Sequence, residues 1–295
     1  MRLAVVMSDD GQEIALERNA GISLPSAYYS GWPRLRDVMD LLMHRDKETL
    51  LEQLHAMLTA EDVTWHASSD FDFRAPVCRP PKNIMCLGWN YAEHARESMQ
   101  AKDLKGELPQ HPLVFTKAVT SVNGPFSGVP AHSGVTAQLD WEVELGVVIG
   151  SYAKGVSEAE ALHHVFGYTI INDISARDLQ ARHKQFFLGK SLPGTCPMGP
   201  VLVTRDEISD PQNLDLRCWV NNELKQESNT RHQIFSVAHV VSLLSCLVGL
   251  EPGDVIATGT PSGVGFARNP PEFLNPGDVV KCEISGIGYL KNRII

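Results

Sequence analysis

Three acidic side chains, Asp140, Glu142 and Glu144, alternate in the segment LDWEVELGVVIG. Alternate residues of a strand share one face, so three carboxylates would crowd together beside an apolar run. Adjacent ionised carboxylates at a half-buried site need a proton or a cation to compensate them. An oxygen-only ligand set of this kind suits Mg²⁺ or Mn²⁺; the other reading is a strand with a solvated acidic face. Asp173, at the end of the apolar run YTIIN, is placed either to add a ligand or to cap a helix starting around Ser175.

His94 and Glu97 are three residues apart in a stretch with helical character, and so neighbours on one face. A carboxylate beside an imidazole raises its basicity and orients it for proton transfer, which makes the two a possible general-base pair or a solvated surface pair. Lys190, between Gly189 and a Pro/Gly-rich stretch, is either a cation held near a ligand or a lysine facing water, and the same choice applies to Lys117.

The elements that must carry these residues are mostly short strands. NIMCLG, PLVFTK, LGVVIG, YTIIND, GPVLVT, LDLRCWV, DVIATG and DVVKCEI alternate with turn signals. Helices are expected after Asn90 with Glu93 at the third helical position, after Ser157 with Glu160 likewise, and after Ser236 over VAHVVSLLSCLVG. Asn221-Asn222 between two strand-like runs predicts a tight hairpin turn. Ahead of these lie a strand from Arg2 to Met7 and a helical stretch with Leu50, Leu51, Leu54, Met57 and Leu58. The Pro-rich joint RAPVCRPPK suggests a boundary near residue 78, with a small N-terminal domain over 1–77 and a catalytic domain over 78–295. The expected class is α+β and β-rich, without regular βαβα alternation.

Composition narrows the function. With 295 residues and a net charge of −9, the chain has no Lys/Arg-rich block to bind nucleic acid. The cysteines 78, 86, 196, 218, 246 and 282 have no zinc-site spacing, and buried free thiols are expected. No apolar run approaches the roughly 18 residues of a membrane span, and the start lacks a signal-peptide pattern, so a cytoplasmic protein is expected. GKS at 189–191 has Lys184 where a P-loop needs its leading glycine, and neither GxGxxG nor GxSxG occurs.

Taken together, GWNYAEHARE, DWEVELGVVIG, NDISARDLQ, GKSLPGTCPMGP and GDVIATGTPSGVG resemble the fumarylacetoacetate hydrolase family, in the family's order and from about residue 80 to the C-terminus. The resemblance implies a mixed β-roll core and a divalent metal, Mg²⁺ or Mn²⁺, ligated by Glu142, Glu144 and Asp173, with Asp140 outside the ligand set. It further implies a 2-oxo acid substrate chelating the metal and a catalytic pair, His94 and Glu97, activating water. Lys190 would stabilise an enolate, Thr260 would contact the substrate carboxylate, and the protein would be a homodimer. The reaction this favours is hydrolysis of a carbon–carbon bond in a 2,4-dioxo acid of the acylpyruvate or fumarylpyruvate type. The alternative is a decarboxylase or isomerase of oxaloacetate-like or 2-hydroxymuconate-type dicarboxylic acids in aromatic catabolism. A silent 2-oxo-acid-binding protein is the remaining reading, disfavoured because every chemical position is filled.

Overall fold

The computed structural model describes residues 1–103 and 106–295, and all eight apolar runs form strands. Val143–Ile149 is buried along its whole length, as a central strand covered on both faces must be. Val165–Asn172 and Val255–Ala257 flank it, both antiparallel. Beyond Val255–Ala257, the strand Ile84–Gly88 runs parallel to it and Leu113–Lys117 closes that edge. These belong to a mixed sheet of 12 strands.

On the other side, Cys196–Thr204 pairs with Arg2–Ser8, placing Leu3 opposite Leu202. The N-terminal strands are thus hydrogen-bonded into the same sheet as the core, and the Pro-rich joint does not interrupt it. The helix Lys47–Thr59 buries Leu50, Leu54 and Met57, which share one apolar cluster with Val148, Ile171 and Leu202. A four-stranded antiparallel sheet, in the order Glu223–Asn229, Asp215–Val220, Val279–Ile284, Gly288–Arg293, completes the strand-rich α+β architecture. Its hairpin turn is Asn221-Asn222, with φ of 51° and 68°, the left-handed pair that matches strand twist.

Helices start after Ser236 and Ser157 as expected: Ser236 accepts the His239 N–H ahead of Val237–Leu247, while the Ser157 hydroxyl makes no bond to the helix backbone and donates to the Glu160 carboxylate. The third differs. The helix Ala92–Ala101 begins after Tyr91 with no side-chain cap, because the Asn90 amide is used across the fold: it donates to Phe235 O and Thr258 O and accepts the Phe235 N–H. The buried amide ties the His94 helix to the segment following Ala257. Among the described residues no helix is long and apolar enough to cross a membrane, and all six cysteines are free, four of them buried.

Candidate active site

The acidic segment is not one continuous strand. Leu139–Asp140 pairs with Ser175–Ala176, and Val143–Ile149 joins the large sheet. At the break, the N–H of Glu142 is taken by the Asn172 side chain at 3.0 Å and that of Val143 by Gln226 at 3.0 Å. Side chains thereby replace the lost ladder partners. The expected shared face is therefore corrected: Glu142 and Glu144 converge, but Asp140 turns to the Gly265 and Phe266 N–H groups and to Arg177 Nε at 2.8 Å. Asp173 is not a helix cap either. Ser175–Ala176 is extended, and the helix Arg177–His183 starts after Ala176 with no side-chain cap.

One oxygen from each of Glu142, Glu144 and Asp173 can be chosen so that all three lie within 4.8 Å of one another, and all three residues are buried. Lys190 Nζ donates to Glu142 at 2.7 Å and Asp173 at 2.6 Å. Lys117 Nζ lies 2.7 Å from Asp173 Oδ1 and donates to Ile174 O, so both lysines left open by sequence are buried at the carboxylates. Burial works against the charged form of Glu142, but Lys190 and Arg177 outweigh it and hold its pKa below the ordinary range. Among the described residues no cation is paired with Glu144. Burial, then Asp173 and Glu142, push its pKa well above the ordinary value, and its Oε1 has no hydrogen-bond partner. Its Oε2 accepts the Gly259 N–H at 2.8 Å.

An unpartnered carboxylate oxygen, fully buried among hard oxygen donors, fits a divalent cation of the Mg²⁺ class. Asp173 Oδ1, close to Lys117 but outside hydrogen-bond geometry, has capacity for the same ion.

Glu142 lines a narrow cleft, and His94, Arg177, Lys190 and Thr260 line it as well. His94 is buried, and its Nδ1 meets Glu97 at 2.9 Å, which leaves Nε2 as the ring nitrogen available to the cleft. The Thr260 hydroxyl donates to Val143 O at 3.0 Å and accepts from Gln226 at 2.8 Å, so its proton is directed into the protein in this arrangement. Arg177, which sequence reasoning passed over within NDISARDLQ, bridges Asp140 and Glu142 and lies 4.5 Å from the Phe266 ring. Its signal was an arginine just past Asp173, but only the paired Leu139–Asp140 and Ser175–Ala176 strands bring it to the carboxylates.

A family model for the fumarylacetoacetate (FAA) hydrolase C-terminal domain matches residues 83–295. Oxaloacetate tautomerase YisK of Bacillus subtilis is 49% identical over 229 residues, 78% of this chain and 75% of that protein. The mitochondrial oxaloacetate tautomerase FAHD2B of Bos taurus is 40% identical over 267 residues, 89% of this chain and 81% of that protein. Among solved structures, fumarylacetoacetate hydrolase from Exiguobacterium antarcticum matches with a TM-score of 0.82 at 35% identity, over 100% of this chain and 99% of that one. With the matched family domain spanning the carboxylates, both lysines and the His94–Glu97 pair, the chain belongs to the fumarylacetoacetate hydrolase family.

Proposed function

We propose that this protein interconverts the keto and enol forms of a 2-oxo dicarboxylic acid of the oxaloacetate class. The observation that carries the reading is His94, held by Glu97, on the cleft that Glu142 lines, because tautomerisation asks only for an anion-holding cation centre and one proton carrier. The names of the 49% and 40% identical relatives support this branch over the carbon–carbon hydrolysis favoured by sequence alone.

Glu142, Glu144 and Asp173 would hold Mg²⁺ or Mn²⁺. When bound, that ion supplies positive charge for the substrate's 1-carboxylate and 2-oxygen. His94 Nε2 takes a proton from C3 of the keto acid; the C3–H electron pair becomes the C2=C3 bond, the carbonyl π pair moves to the 2-oxygen, and His94 Nε2 returns the proton to that oxygen, giving the enol and the neutral imidazole. Glu97 keeps Nδ1 protonated, so Nε2 begins as the acceptor. Lys190 adds positive charge where the oxygen becomes anionic. No water is consumed, which separates this reaction from hydrolysis.

The similarity to a named fumarylacetoacetate hydrolase favours a second reading, in which the same pair activates water against an acylpyruvate. One assay distinguishes them: Mg²⁺-loaded protein is given freshly dissolved enol-oxaloacetate and, separately, acetylpyruvate, both followed by ultraviolet absorbance. Faster ketonisation than the buffer reaction, lost in His94→Ala, is expected. Acetylpyruvate cleavage without accelerated ketonisation would overturn the proposal in favour of the second reading.

A further inference from the structure

His94, Ser98 and Lys102 follow one another at steps of four along Ala92–Ala101 and its C-cap, so they form one stripe, and all three line the cleft. Ser98 is fully buried, yet among the described residues its hydroxyl oxygen has no hydrogen-bond partner, a costly state for a polar group unless something else meets it. One turn further, Lys102 Nζ lies 5.2 Å from the centroid of Phe266, the same ring that Arg177 lies against.

The cations of this cleft are not equivalent. Lys190 is engaged by Glu142 and Asp173, and Arg177 by Asp140 and Glu142. Among the described residues no ion pair includes Lys102. Lys102 is exposed and lines the cleft, so its ammonium is open to an arriving anion.

We propose that Ser98 and Lys102 form the subsite for the distal carboxylate of the substrate, with the Ser98 hydroxyl and the Lys102 ammonium donating to its oxygens. The inference rests on the dicarboxylate class proposed above and names the residues that would select it over a monocarboxylic 2-oxo acid. His94 then lies at one end of the stripe beside the reacting carbon, and the charge that reads chain end lies at the other. Arg177, already shared between two carboxylates, has less charge to give.

The test compares oxaloacetate with 2-oxobutyrate, which carries a methyl group in place of the distal carboxylate. Binding to Mg²⁺-loaded protein is read by intrinsic tryptophan fluorescence, since Trp89 lines the cleft. Lys102→Met should weaken oxaloacetate by about tenfold or more, as loss of a charge-assisted hydrogen bond does, and leave 2-oxobutyrate within about twofold. Ser98→Ala should give a smaller loss in the same direction, and Lys102→Arg should retain most of the affinity. Equal losses for both acids in Lys102→Met, or none for either, would overturn the subsite. If the Lys102 discrimination holds but wild type does not accelerate ketonisation, the subsite stands and the reaction assigned above falls.

Discussion

Glu97 lies 2.9 Å from His94 Nδ1 and also receives the Gly263 N–H at 3.1 and 3.0 Å from its two oxygens. The carboxylate that orients the imidazole is therefore fixed by a loop from the far end of the chain. That loop contributes Gly259 N–H to Glu144 and the Gly265 and Phe266 N–H groups to Asp140. One short backbone run thus positions members of the proton-transfer pair, the acidic trio and the Arg177 support together.

If His94 carries the proton, His94→Ala should lower the ketonisation rate by about 10²- to 10⁴-fold while binding of oxaloacetate persists. Glu97→Gln should cost less, because the imidazole remains and only its orientation changes. Stopped-flow absorbance gives the rates and fluorescence titration the binding. A His94→Ala rate within about threefold of wild type would remove the imidazole from the mechanism.

Gly263 has φ of +100°, and a Cβ there would lie 2.1 Å from Lys225 O. Gly263→Ala must move backbone against backbone, at a cost of about 1–3 kcal/mol for the strained conformation alone. The displaced N–H would release Glu97. The expected result is a lower urea midpoint together with a fall in rate beyond that of an equally destabilised variant remote from the cleft. Unchanged stability would show that the loop accommodates the methyl group.

Asp140 tests the division of labour among the acids. Its carboxylate serves Arg177 and the Trp141, Gly265 and Phe266 N–H groups, so Asp140→Ala leaves Arg177 with Glu142 alone, orphans those donors and should destabilise by about 1–3 kcal/mol. Mg²⁺ affinity should fall far less than in Glu142→Ala. Calorimetric titration of the two variants gives the ranking, and the reverse order would make Asp140 a ligand.

Strand identities were legible because each buried run is apolar and bounded by turn residues, as in YTIIND and DVIATG. Spacing also brought forward Glu142 and Glu144. It failed at Asp140, because the strand break depends on Asn172 and Gln226 side chains replacing ladder bonds, and neither shows in a local pattern. Lys117 and Lys190 could not be separated from solvent-facing lysines until the sheet buried them against Asp173. Asn90 looked like a helix cap because its partners, Phe235 and Thr258, lie more than a hundred residues away.

Glu144 makes the metal dependence pH-sensitive in a defined direction. In the ion-free protein, burial first and then Asp173 and Glu142 raise its pKa well above that of an unfolded glutamate. Between those two values the folded state holds the proton and the unfolded chain does not, so ion-free stability falls as pH rises through the interval. A divalent cation must displace that proton, and its affinity therefore grows with pH over the same range. The gain in melting temperature on adding Mg²⁺ should be larger at mildly alkaline than at mildly acidic pH; an ion at about a hundredfold excess over Kd stabilises by about 2.7 kcal/mol. Glu144→Gln should flatten both the ion-free pH trend and the Mg²⁺ response, and excess EDTA should abolish ketonisation by wild type. Full activity in EDTA, or a Mg²⁺ response equal at the two pH values, would show that the proton on Glu144 and the cation do not compete for one site.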